Sequence, residues 1–258
     1  MIKAISRKLP ALLLLGLFLL SPLWADRYSA QKYVEYGKTY FKQNDLTRAV
    51  QSLKYAARLD PTYDVPHAVM GDIYAYFKNY TEAKKEYLKA LELNPKNYYY
   101  NYFLGLICLQ EGNYNKAQSY LKSAIQLNPK HSDSYFNMAL VYHKKGEIKK
   151  EETYLKNAVK LSPKNPKYLF ALGQVFTREK KFLESMSSYE RVIAMTKVAD
   201  PFHAKARKEL KQLRKGLYGN INRIENTLKW LNILLVPLIV IIAGLSWAAA
   251  VRRRSASK

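Results

Sequence analysis

Apolar residues in this chain recur at helical spacing, and the pattern itself repeats. Between Tyr99 and Leu127, the residues Phe103, Leu104, Ile107 and Cys108 share one helix face, and Ala117, Tyr120, Leu121, Ala124 and Ile125 share another. Gln110-Glu111-Gly112-Asn113 lies between them as a polar turn cluster. Asn128-Pro129 stops the second run, because the residue before Pro is pushed out of the helical region and Pro offers no N–H. The stretch therefore predicts helix–turn–helix. Pro61, Pro95, Pro129 and Pro163 recur at a period of 34 residues. Gly37, Gly71, Gly105 and Ala139 precede these prolines at one fixed distance, and Ala56, Ala90, Ala124 and Ala158 at another. Ala49, Ala83 and Ala117 hold a third place, with Glu151 as the departure. A fifth copy keeps Gly173, carries Ser185 and Val192 in place of the alanines, and has its proline displaced to Pro201. One such hairpin cannot bury its apolar face alone; neighbours must stack on it. The expectation is an all-α solenoid over 26–200 with repeats 30–63, 64–97, 98–131, 132–165 and 166–199, in which the small residues let helices approach closely.

The apolar pattern changes at both ends. Residues 1–25 read as a secretory signal peptide: basic Lys3, Arg7 and Lys8, an apolar run from Leu9 to Leu20, then Ser21-Pro22-Leu23-Trp24-Ala25. Leu23 is large for a cleavage site, so an uncleaved signal anchor is the alternative. From Phe202, a stripe of Ala206, Leu210, Leu213 and Leu217 opposes Lys205, Lys208, Lys211, Arg214 and Lys215. This predicts a basic amphipathic helix over 201–229 that caps the last repeat and attracts anionic lipid headgroups, with a bend or break at Gly219-Asn220. Residues 230–251 are almost wholly apolar, with Asn232 and Ser246 as the polar members. As a helix they would extend about 33 Å against a hydrocarbon core of about 30 Å. Trp230 and Trp247 stand near the ends and Pro237 inside, where a kink is expected. Arg252, Arg253 and Arg254 in the 252–258 tail mark a cytoplasmic end. The chain thus reads as an exported repeat domain held by a single C-terminal span, with its repeats periplasmic at a bacterial inner membrane.

The repeat resembles the tetratricopeptide repeat (TPR) family. Gly37, Gly71, Gly105, Ala139 and Gly173 match its small eighth position. Tyr40, Tyr74, Cys108, Tyr142 and Phe176 fall at position 11, and Leu53, Tyr87, Leu121, Leu155 and Tyr189 at position 24. The resemblance implies a TPR α-solenoid whose first helices line a concave groove at positions 2, 5, 9, 12 and 13. Carried onto this sequence, the groove takes Tyr99, Tyr102, Leu106 and Leu109 from the third repeat. The fourth supplies Phe136, Asn137, Leu140, His143 and Lys144, and the fifth Lys167, Phe170, Gln174 and Arg178. Tyr102, Phe136 and Phe170 hold one position in three successive first helices and would form an aromatic ladder, with Lys144, Lys167 and Arg178 steering an acidic flank. Asn137 and Lys167 match two of the five positions with which a known TPR variant clamps a C-terminal carboxylate; Tyr102, Leu106 and Ala171 break the others, so that clamp is not expected.

Composition narrows the function. The net charge of +23 suits acidic proteins, anionic lipid or nucleic acid, and export removes nucleic acid. Cys108 alone allows no internal disulfide and reads as a small core hydrophobe. The four histidines His67, His131, His143 and His203 lack metal-ligand spacing, and HExxH, GxSxG, phosphate-loop and CxxC motifs are absent. The expectation is a non-enzymatic, cofactor-free adaptor that binds a protein or peptide partner. An assembly chaperone for envelope proteins and a structural subunit of a membrane complex are the rivals.

Overall fold

The structure, a computed structural model, describes residues 26–255; of the side chains beyond Lys229 it describes those at 231, 233 and 235. The signal-peptide reading of 1–25 lies outside the described residues. Helices follow one another in hairpins, and no strand occurs among the described residues. They are α1 (26–42), α2 (Leu46–Leu59), α3 (Val65–Tyr76), α4 (Tyr80–Leu93), α5 (Tyr98–Gln110), α6 (Tyr114–Leu127), α7 (Ser132–Lys145), α8 (Ile148–Leu161), α9 (Pro166–Arg178), α10 (Phe182–Met195) and α11 (Pro201–Ser255). The chain divides into two compact units, ending and beginning at Tyr168 and Leu169.

Local chemistry explains where the helices break. Each first helix ends in a left-handed residue: Asn44, Lys78, Gly112, Gly146 and Lys180, all with φ between 59° and 74°. The next position caps the following helix. Asp45, Asn79 and Asn113 accept from the backbone N–H groups of Arg48, Glu82 and Lys116, filling donors that a helix start leaves open. Each of the first four second helices ends before a proline turn, with Tyr63, Asn97, His131 and Asn165 donating their N–H to the carbonyls of Asp60, Asn94, Asn128 and Ser162. Pro at the second place of such a turn has its φ already set.

Within a hairpin, the eighth-position glycine receives the side chain at position 24. A Cβ on Gly37 or Gly105 would stand 2.7 Å from the Cγ of Leu53 or Leu121, and one on Gly71 would stand 2.9 Å from the ring of Tyr87. Gly173 meets Tyr189 in the same way at 2.7 Å, which places the fifth hairpin in register with the others despite its altered alanines. The alanines Ala49, Ala83, Ala117, Ala56, Ala90, Ala124 and Ala158 are fully buried. Small side chains there leave room for neighbours such as Met70, Ile73, Leu104 and Met138 in successive core clusters. Glu151, the departure from the alanine pattern, is buried and receives His143 Nδ1 at 3.1 Å.

In the second unit α11 runs as one continuous helix from Pro201 to Ser255, so the break expected at Gly219-Asn220 is absent and Pro237 does not end the helix. Ala206 and Leu210 are buried, and Arg214 reaches Glu190 of α10 at 2.9 Å. Among the described residues no helix is long and apolar enough to cross a membrane. The span read over 230–251 has helical backbone, but most of its side chains lie outside the described residues.

Candidate functional site

The first helices of the first unit are tied edge to edge by polar bonds. The hydroxyls of Tyr87 and Tyr99 both donate to Asp72 Oδ1, at 2.5 and 2.7 Å. Tyr100 donates to Asp64 at 2.5 Å, and Tyr168 to Asp133 at 2.7 Å. Asn137 Nδ2 donates to the Tyr102 hydroxyl at 3.2 Å and to the Asp133 carbonyl at 2.8 Å. Burial pushes the Asp72 carboxyl up, against the pull of its two hydroxyl partners. Burial, reinforced by the Asp133 charge, pushes Tyr102 up to about 12. Burial also raises Tyr168 to about 12. These phenols stay protonated at neutral pH; the Tyr168 hydroxyl donates to Asp133, while the Tyr102 hydroxyl accepts from Asn137.

This network places the expected groove residues. Tyr99, Tyr102, Leu106, Leu109 and Leu140 are half-buried, so each keeps some surface. His143, Lys144 and Lys167 are exposed. Phe136 is only 5% exposed: it stacks on Tyr168 with ring centroids 5.1 Å apart, and the Lys167 ammonium lies 4.1 Å above it. Asn137 is buried beside it. In the second unit Phe170 is 8% exposed, with the rings of Tyr189 and Phe202 at 5.5 and 5.7 Å, while Gln174 and Arg178 are exposed. The structure brings Tyr102 to Asn137 and Phe136 to Lys167. The two phenylalanines of the expected ladder are covered by other rings, because a planar side chain between neighbouring helices gains more from stacking than from water.

A cluster that the sequence reading passed over is open instead. Phe41, Tyr76 and Phe77 meet at the ends of α1 and α3, with centroids 5.2 to 6.4 Å apart. Tyr76 is 72% and Phe77 46% exposed. Phe41 and Tyr76 stand at positions 12 and 13 of the first two repeats, the positions already used for the later ones. The fifth position is aromatic in the third, fourth and fifth repeats but Val34 and Ala68 in the first two, so it carries no sign of this cluster. Among the described residues no group of three or more His, Cys, Asp or Glu could hold a metal ion. Burial raises the Cys108 thiol, which keeps it protonated.

Comparison with known proteins agrees with this architecture. Residues 30–63 and 132–165 match one Tetratricopeptide repeat profile, residues 66–97 a second, and residues 105–146 a TPR repeat profile. No curated protein matches the chain at a significant level. Among solved structures it is similar to MamA from Desulfovibrio magneticus RS-1, at 23% identity and TM-score 0.59, over 65% of this chain and 94% of that one. It is also similar to Pseudomonas aeruginosa pilF, at 18% identity and TM-score 0.63, over 78% and 93%. YrrB, described as a TPR protein with an unusual peptide-binding site, is similar at 19% identity and TM-score 0.56, over 68% and 90%. Identities of this size speak to the fold. With the glycine-against-position-24 packing and the recurring turns already in place, the profiles identify the hairpins of residues 30–63, 66–97 and 105–165 as similar to tetratricopeptide repeats.

Proposed function

We propose that the protein is a non-enzymatic adaptor, anchored to a membrane by its C-terminal helix, whose first-helix face binds a segment of a partner protein on the exported side. The observation that carries this reading is the open aromatic cluster of Phe41, Tyr76 and Phe77 on the same series of first helices as half-buried Leu106, Leu109 and Leu140. Exposed aromatics beside apolar surface are the residue types that anchor a partner, each commonly worth on the order of 2 kcal/mol when buried. His143, Lys144 and Lys167 of the same unit supply polar and cationic groups for an acidic flank of that partner. YrrB, whose description mentions a peptide-binding site, lends this analogy from the same fold. The apolar 230–251 stretch and the triple arginine after it support the anchor, and the basic face of 205–215 supports attraction to anionic headgroups.

Affinity capture with the full chain tests the binding reading. Tyr76→Ser combined with Phe77→Ser should reduce recovery of co-purifying protein by roughly a hundredfold, with helical content unchanged because both rings face solvent. Full recovery with the double variant would move the binding surface elsewhere. Recovery of one stoichiometric partner favours an adaptor or structural subunit, whereas many substoichiometric clients favour a chaperone.

A further inference from the structure

The face of α11 that rests on α10 continues beyond it with nothing on top among the described residues. His203, Ala206 and Leu210 are buried, and Leu213 and Leu217 are half-buried. Arg214 of the same stretch pairs with Glu190 of α10. The stripe then runs on as Ile221, Ile224 and Leu228, each between 48% and 59% exposed, up to the wholly apolar stretch that begins at Trp230. Counted with Leu217 before them, their spacing alternates four and three residues, the narrow two-in-seven seam of a coiled coil. A helix that lies on a lipid surface carries a wider apolar face with basic residues along its borders. Here the borders carry no base: Asn220 and Thr227 flank one side and Glu225 the other, while Arg223 and Lys229 fall at outward positions.

We propose that this seam is a self-association surface, closed by the same seam of a second copy of the chain. Charge argues for that occupant. In a chain of net charge +23, two copies repel wherever their basic faces meet. The border of this seam is the part of the helix kept free of base, so the copies meet here without a like-charge pair. In a parallel arrangement Asn220 faces Glu225 of the second copy, a hydrogen-bonding combination at the positions that set pairing.

Cysteine cross-linking of the full chain in mild detergent tests this. Leu228 lies on the seam, and two copies anchored by the same span run parallel, so Leu228→Cys should form a disulfide-linked dimer on mild oxidation. Asn226→Cys points outward and should not, and the wild type, whose Cys108 is buried, should not either. Light scattering should give the wild type a multiple of the monomer mass. Ile224→Glu with Leu228→Glu should weaken that association by at least about tenfold. The variant should keep its helical content, since both side chains are exposed. Equal cross-linking at 226 and 228, or a monomeric wild type, would overturn the proposal. So would a monomer that binds phosphatidylglycerol vesicles through these residues, or a different protein linked at 228.

Discussion

The residues that set each hairpin act through backbone conformation and shape more than through charge. The left-handed position at the end of the first helix shows this. Glycine holds it in two repeats, but Asn44, Lys78 and Lys180 hold it in the others. A side chain there crowds its own carbonyl, a cost of roughly 1–2 kcal/mol that glycine escapes. Lys78→Gly should therefore raise stability by about 1 kcal/mol, seen as a higher midpoint in urea unfolding, and Gly112→Ala should lower it by a similar amount. Gly105→Leu places a branched side chain on Leu121 and should cost roughly 1–3 kcal/mol in the same measurement. Asp72 allows a sharper test. One of its oxygens accepts two phenols, and an asparagine carbonyl can do the same without burying a charge. The folded carboxyl titrates above its ordinary value, so the wild type loses stability as pH rises from about 3.8 through the folded value. Asp72→Asn should be as stable as the wild type or more so at pH 7, with the difference closing at pH 3. Asp72→Ala strands two buried hydroxyls and should cost about 1–3 kcal/mol at either pH.

At the scale of elements, the hairpins are uniform and α11 is not. Its 55 residues would extend about 80 Å, far beyond the helix it packs on. Gly216 and Gly219 sit inside it with no atom close enough to demand a glycine. Their absence of a side chain gives the helix local freedom rather than a packing advantage. Gly219→Ala should stabilise this segment by about 1 kcal/mol and slow amide hydrogen exchange over residues 216–223. No change in exchange there would mean that a partner already holds the helix rigid.

The chain comprises two compact units, the second of which contains the long helix α11, whose far end is apolar in sequence. Proposed orientation follows from charge at the two termini, and reporter fusions read it directly. Alkaline phosphatase joined after Asn220 should be active and one joined after Lys258 inactive; the reverse pattern would remove the single-span topology. Truncation before residue 230 should release the protein from the membrane fraction if that span is the anchor, and leave it there if an uncleaved leader also holds it.

The sequence by itself determined the period, the hairpin and its small residues, because helix stacking at a fixed repeat demands glycine or alanine where backbones approach and proline where the helix must stop. Gly105 and Ala124 are assigned by their spacing alone, since few residues satisfy those steric conditions. Which aromatics remain open was not legible in the same way. Position alone gives Tyr76 and Phe136 equal claims on a groove, and only the three-dimensional arrangement lays Tyr168 on one and leaves the other in water. The hydroxyl partners Asp64 and Asp72 were likewise invisible, being 36 and 27 residues from Tyr100 and Tyr99. The continuity of α11 through Gly219 was likewise decided by the tertiary structure, because a glycine permits a bend without requiring one. Periodic packing leaves its record in every repeat, whereas exposure depends on what a neighbouring helix happens to place on top.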